Sequence, residues 1–197
     1  FNQAELDAWV DEYFADIARP DRPIPRVEVE EPMRTQPRDY TVYAPNVPLP
    51  AVMLSYPQPE STSPDIPTLM VIDAILSNGQ SSRLYQSLVY DQQIATAVFT
   101  NLEATQDPGA YALFAILSGD QTAGAGLASL SAEVARLRDS PVTQAELDEA
   151  KNEIVTATIQ GRETAEGRAD ELANSVIRFG DADYADRLLA EIQRTTA

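Results

Sequence analysis

Three glutamates, Glu146, Glu149 and Glu153, stand three and four positions apart, so a helix would carry their carboxylates on one face. Together they could hold a hard cation. A good site for such an ion gathers about six or more oxygens from differently placed groups. With Asp148 beside Lys151, the same spacing reads better as a solvated helix face. The stretch Gly119 to Gly126, GDQTAGAG, opens a helix and could be taken for a phosphate cradle. It lacks the Lys-Ser/Thr ending of a P-loop and the spacing of a dinucleotide fingerprint, so a flexible helix start accounts for it better. Arg83 and Tyr85, within SSRLYQ, fall in the opening of a helix. A guanidinium there can anchor another element through a carboxylate or a backbone carbonyl, or touch a substrate directly.

What is missing narrows the chemistry further. The chain has no His, which rules out a Ser-His-Asp triad, a Cys-His pair or a His-based zinc site completed within it. It also has no Cys, and so neither a disulfide framework nor a thiolate site. Fourteen basic against 31 acidic residues give a net charge of -17, which repels nucleic-acid phosphates and anionic membranes. That charge keeps a surface solvated, and it could also draw in basic peptides. No apolar run approaches the roughly 20 residues of a membrane span. The first residue is Phe rather than Met, so the sequence reads as trimmed and any signal peptide would lie outside it.

The elements that would position these residues follow from spacing and punctuation. Leu6, Trp9, Val10, Tyr13, Phe14 and Ile17 step along one face of a helix over residues 2–18, and that face needs something to dock on. Pro20, Pro23, Pro25, Pro32 and Pro37 then make an extended linker over residues 20–39. Tyr40 to Tyr43 and Ala51 to Tyr56 are two β-prone runs, predicted as strands. Ser63-Pro64-Asp65 starts a helix whose buried face is Leu69, Ile72, Ile75 and Leu76, and Gly79 ends it. Ser81 or Ser82 caps a second helix with Leu84 and Leu88 buried. Ile94 to Leu102 and Ala110 to Leu117 form a hairpin around Asp107-Pro108-Gly109.

Helices fill the rest of the chain. Leu127, Leu130, Val134 and Leu137 mark one that stops at Asp139-Ser140-Pro141, and Thr143 with Glu146 forms a capping box for the next. The fold class is therefore α+β: a mainly antiparallel sheet with helices packed on one face, in the order ββααββ and then several helices.

The pieces PDIPTLMVIDAILSNGQSSRLYQSLVYDQQIATAVF, the glycine-bearing hairpin and PVTQAELDEAKNEI, in that order, resemble the pitrilysin, insulinase and mitochondrial processing peptidase family of zinc peptidases. The resemblance covers Tyr40 to Ala197 and is to the C-terminal, non-zinc-binding domain of a bacterial-type member. It implies three parts: residues 1–19 as a helix from the end of the preceding domain, 20–39 as a linker, and 40–197 as a non-catalytic domain whose C-terminal truncation is left open. In that family two similar domains face each other across a chamber, and one of them bears an HxxEH zinc motif. The other often places an Arg and a Tyr toward the substrate, seven residues apart. Aligning LVYDQQIATAVF puts Val89 and Thr96 at these chamber positions, so neither residue type is kept.

The resemblance implies a substrate-chamber domain of a zinc metalloendopeptidase, inactive as an isolated chain. No cofactor belongs to this chain itself, and zinc is expected in the missing N-terminal domain or a partner. The implied partners are the chain's own zinc-binding domain, a second subunit carrying the Arg/Tyr pair, and a peptide substrate. The alternative is a non-catalytic scaffold subunit of the same fold. Bacterial members of this style suggest the periplasm or cell envelope.

Overall fold

A computed structural model describes every residue except Phe1, Ile24, Arg26, Val27, Glu30, Glu31 and Met33. The chain divides into two compact units, Phe1–Tyr43 and Ala44–Ala197. In the first, helix α1 spans Gln3–Phe14, and the Asn2 side chain accepts from the Ala4 amide at 3.1 Å to cap it. The helix stops short of the predicted residue 18, and its apolar residues Leu6, Trp9, Val10, Tyr13 and Phe14 are all exposed. The described residues of 20–39 form neither helix nor strand, and the remainder of that linker lies outside the described residues. Tyr40 to Tyr43, predicted as a strand, pairs with none of the described residues and is exposed. Its β-branched and aromatic residues suit a pleated, half-buried surface, and among the described residues none pairs with it to supply one.

The second unit is an α+β layer. Strands β1 (Ala51–Gln58), β2 (Ala95–Asn101) and β3 (Gly109–Leu117) form an antiparallel sheet in the order β1-β3-β2. Helix α2 (Ile66–Ser77) and a short helix with a π-helical segment at Tyr85–Asp91 lie between β1 and β2 in sequence. Helices α3 (Ala123–Asp139), α4 (Gln144–Gly161), α5 (Ala165–Phe179) and α6 (Tyr184–Arg194) follow.

Helix α2 is the element that two cores share. Toward the sheet, its Leu76 joins Val52, Leu113, Ala115 and Leu117 of the strands, Leu84 and Leu88 of the short helix, and Leu130 of α3. On its other side, Val71, Ala74 and Ile75 meet Leu147 and Ala150 of α4 and Ile192 of α6. That two-sided burial explains why IPTLMVIDAILS is apolar nearly all round. The helix begins at Ile66, two residues later than Pro64 suggested, with the Ser63 hydroxyl accepting from the Asp65 amide at 3.3 Å. The chain leaves the helix at Asn78, which is extended (φ -77°, ψ 120°), and turns at Gly79, whose φ of +67° lies in the left-handed region that favours glycine.

The short helix departs from the expected α-geometry. It widens to a π-turn, closed by the Gln92 amide donating to the Ser87 carbonyl at 3.0 Å. Ser82 does not cap it: its hydroxyl donates back to the Gly79 carbonyl at 2.9 Å. Helix α3 crosses the sheet at Gly126, where a Cβ would stand 2.6 Å from a Leu117 methyl, so any larger residue there would have to displace the Leu117 side chain.

Candidate functional site

Arg83 lies at the start of the short helix, with its side chain 7% exposed, and grips Glu146 at the start of α4. Its Nε donates to Oε1 at 2.6 Å and Nη2 to Oε2 at 3.1 Å, a bidentate pair between residues 63 positions apart. The same Glu146 carboxylate accepts from the Thr143 amide and hydroxyl, each at 2.8 Å, while Thr143 Oγ1 accepts from the Glu146 amide at 3.2 Å. The capping box is therefore also the socket for Arg83. The Arg83 guanidinium, helped by Thr143 and opposed by partial burial, pulls the Glu146 carboxyl down to about 2. Tyr85, two residues further along the short helix than Arg83, is half-buried.

That engagement separates Glu146 from the other two glutamates of its face. Glu149 is exposed, and Glu153 is half-buried, its carboxyl pushed above the ordinary range by burial and by the charge of Glu149. Among the described residues no group of three His, Cys, Asp or Glu side chains could hold a metal ion. In the glycine-rich stretch, Thr122 caps α3 by accepting from the Ala125 amide at 3.2 Å, and Gly126 packs on Leu117.

The two chamber positions fall on two backbone irregularities. Val89 lies in the π-turn, half-buried against the sheet-side core. Thr96 is the unpaired residue of a β-bulge between the Ala95–Leu117 and Ala97–Ile116 pairs, exposed, with its hydroxyl donating to the Ile116 carbonyl at 3.2 Å. The corner between them is pinned by three further bonds. Ser118 donates its amide to the Ile94 carbonyl and its hydroxyl to the Gln93 carbonyl, at 3.0 and 3.1 Å, and the Ser129 hydroxyl donates to Gln92 at 2.7 Å. Such bulges re-aim side chains and occur often beside functional sites. Neither Val89 nor Thr96 supplies a charge.

A buried polar cluster was not singled out in the sequence. The Tyr111 side chain is buried with its hydroxyl close to Asp73 and Thr100, completing a hydrogen bond to neither, and Ser77 bonds Thr100 beside it. Burial, then the charge of Asp73, pushes the phenol up. Gln58, 2% exposed, leaves both amide atoms unpaired. The available signal was Asp73 itself, an acid between Ile72 and Ala74 in an apolar helix.

A family model described as the peptidase M16 inactive domain matches residues 1–154. The chain belongs to the peptidase M16 family, as its inactive domain. Curated relatives include an uncharacterized zinc protease of Mycobacterium tuberculosis, 26% identical over 128 residues, which are 65% of this chain and 29% of the relative. The chain thus spans less than a third of the length of the curated relatives it matches. Among solved structures, a protease from Helicobacter pylori superposes with a TM-score of 0.92 at 22% identity, covering 100% of this chain and 48% of that one. An inactive peptidase domain from Bordetella parapertussis gives 0.68 at 24% identity, covering 76% of this chain and 79% of that one. These likenesses are of fold. Among the described residues no helix is long and apolar enough to cross a membrane.

Proposed function

We propose that this chain is the substrate-chamber half of a zinc metalloendopeptidase, hydrolysing peptides only together with a separate HxxEH-bearing domain. The observation that carries the reading is membership of an inactive M16 domain by a chain without a single His. The family motif needs two histidines to hold zinc and a glutamate to activate the metal-bound water, so the metal belongs to the other domain or to a partner. Val89 and Thr96 offer neither a guanidinium nor a phenol to substrate, and a second subunit supplies that Arg/Tyr pair. This chain's contribution is to wall the chamber: Arg83 and Glu146 lock the short helix to α4, and the helix in turn fixes the corner that carries both positions.

The same two positions favour a second reading, a non-catalytic scaffold subunit, because they show no substrate-gripping group. Co-expression separates the two. The chain alone is expected to leave a quenched casein reporter intact with or without zinc, and to give chelator-sensitive cleavage when paired with the HxxEH-bearing half from the same gene or its neighbour. Chelator-sensitive cleavage by the pure chain sinks the proposal, and an inert pair favours the scaffold. The resemblance to envelope members supports a bacterial envelope location, which fractionation of the full-length protein reads directly.

A further inference from the structure

At one end of the sheet β1 stops at Gln58, directly opposite Gly109, where β3 begins. The Thr96 bulge stands at the other end, near Leu117. The loops that leave the Gln58 end, residues 59–65 and 102–108, are joined by the Ser61 amide, which donates to the Thr105 carbonyl at 2.8 Å. Two side chains here are buried without hydrogen-bond partners among the described residues. Gln58 is 2% exposed with both amide atoms unpaired, and Tyr111, two residues along β3 from Gly109, is 6% exposed with its hydroxyl unpaired. Gly109, Tyr111 and Leu113 alternate onto one face of β3, so Gln58 and Tyr111 share the helix-facing side with the core residue Leu113. A buried amide or hydroxyl without a partner forfeits the hydrogen bonds it makes in water, so the closed arrangement is costly at these groups.

The corner between α5 and α6 holds both loops. The Arg178 guanidinium donates to the Ala104 carbonyl, and the Tyr184 hydroxyl donates to the Ser61 carbonyl at 3.5 Å. The two grips are built as one piece: the Phe179 and Tyr184 rings stack with centroids 3.5 Å apart, and the Arg178 guanidinium lies 5.4 Å from the Phe179 centroid. Gly180, in the left-handed region at φ +69°, makes the turn that brings them together. Helix α5 itself is thinly anchored. Among its described residues Ser175 alone is buried, while Leu172, Val176 and Ile177 are exposed. Both bonds to the loops end on main-chain carbonyls, which water serves nearly as well, so the corner can let go at little cost.

We infer that the α5–α6 corner is a latch over the Gln58–Tyr111 end of the sheet, and that this end opens as a unit, short of global unfolding, when Arg178 and Tyr184 release the two loops. Opening hands Gln58 and Tyr111 to water and recovers hydrogen bonds that the closed state lacks. Opening the centre of β3 would instead expose Leu113, Ala115 and Leu117 of the hydrophobic core, so the two regions come apart at different free energies. The device is independent of the chamber reading.

Amide hydrogen exchange of the 197-residue chain, followed residue by residue by NMR, tests this. The amides of Gln58, Ser61 and Tyr111 should exchange through one common opening, at least about tenfold faster than those of Val52 and Ala115 at the sheet centre. Arg178→Ala combined with Tyr184→Phe should speed the first three by about tenfold and leave the central pair unchanged, and Arg178→Lys in place of Arg178→Ala should undo part of that gain. Gln58→Met, similar in size without the orphaned amide, should slow the same three by about tenfold. Exchange of all five amides in step overturns the inference, as does a double variant that changes none of them or speeds all of them alike. A Gln58→Met chain that exchanges no more slowly than the parent overturns it as well, because Gln58 would then be satisfied in the closed state.

Discussion

Arg83 is the residue on which two helices meet, and its cost of removal is set by burial. An exposed ion pair contributes about 0–1 kcal/mol, whereas cutting a buried one strands a charge at about 3–5 kcal/mol. Arg83 is buried and Glu146 is 28% exposed, so Arg83→Ala should cost about 2 kcal/mol at pH 7, read from urea midpoints. The pH dependence has a definite sign. Glu146 titrates near 4.5 when free and near 2 when folded, so the pair's contribution is complete above about 4.5 and is lost as pH falls toward 2. Denaturation curves of the parent and Arg83→Ala should therefore converge between those values. A gap that persists at the acid end would place the effect in packing of the arginine stem.

Among the elements, the contact between α3 and β3 makes the sharpest demand on side-chain size. Gly126→Ala would bring a Cβ to 2.6 Å from a Leu117 methyl and 3.2 Å from a Val52 methyl, both on buried residues, so Leu117 must shift within the core. The expected loss is about 1–3 kcal/mol despite alanine's better helix propensity, while Gly124→Ala, two residues earlier in open space, should be neutral or stabilising. Thermal melts of the pair check this.

Local chemistry of this kind is what the sequence made legible. The Thr143–Glu146 capping box, the Gly79 turn and the β2–β3 hairpin each follow from a few adjacent residues. The π-turn was not legible, because widening a hydrogen-bond ladder leaves the apolar spacing of Leu84 and Leu88 unchanged. Tyr40 to Tyr43 shows the opposite failure, β-propensity without a partner strand. The Arg83–Glu146 pair was hidden by distance: each residue was singled out, one as an anchor and one in an acidic face, but nothing local joins positions 63 apart.

For the whole molecule, the question is which part of the chain holds the fold together. The described residues of both hydrophobic cores lie beyond Ala44: one core runs from Val52 to Leu130 with partners as far as Leu137, the other from Val71 to Ile192. The described side chains of α1 are all exposed. Conformational entropy is recovered chiefly by burial of apolar surface, so the cooperative unit is the second one. Deleting residues 1–43 should leave the thermal midpoint within about 2 °C of the full chain, a shift equivalent to less than about 1 kcal/mol. The helical circular dichroism should fall only by the share of α1, Gln3–Phe14. A large drop in midpoint would mean that α1 closes over a surface of the second unit, and its apolar stripe would then be core rather than a face awaiting another domain.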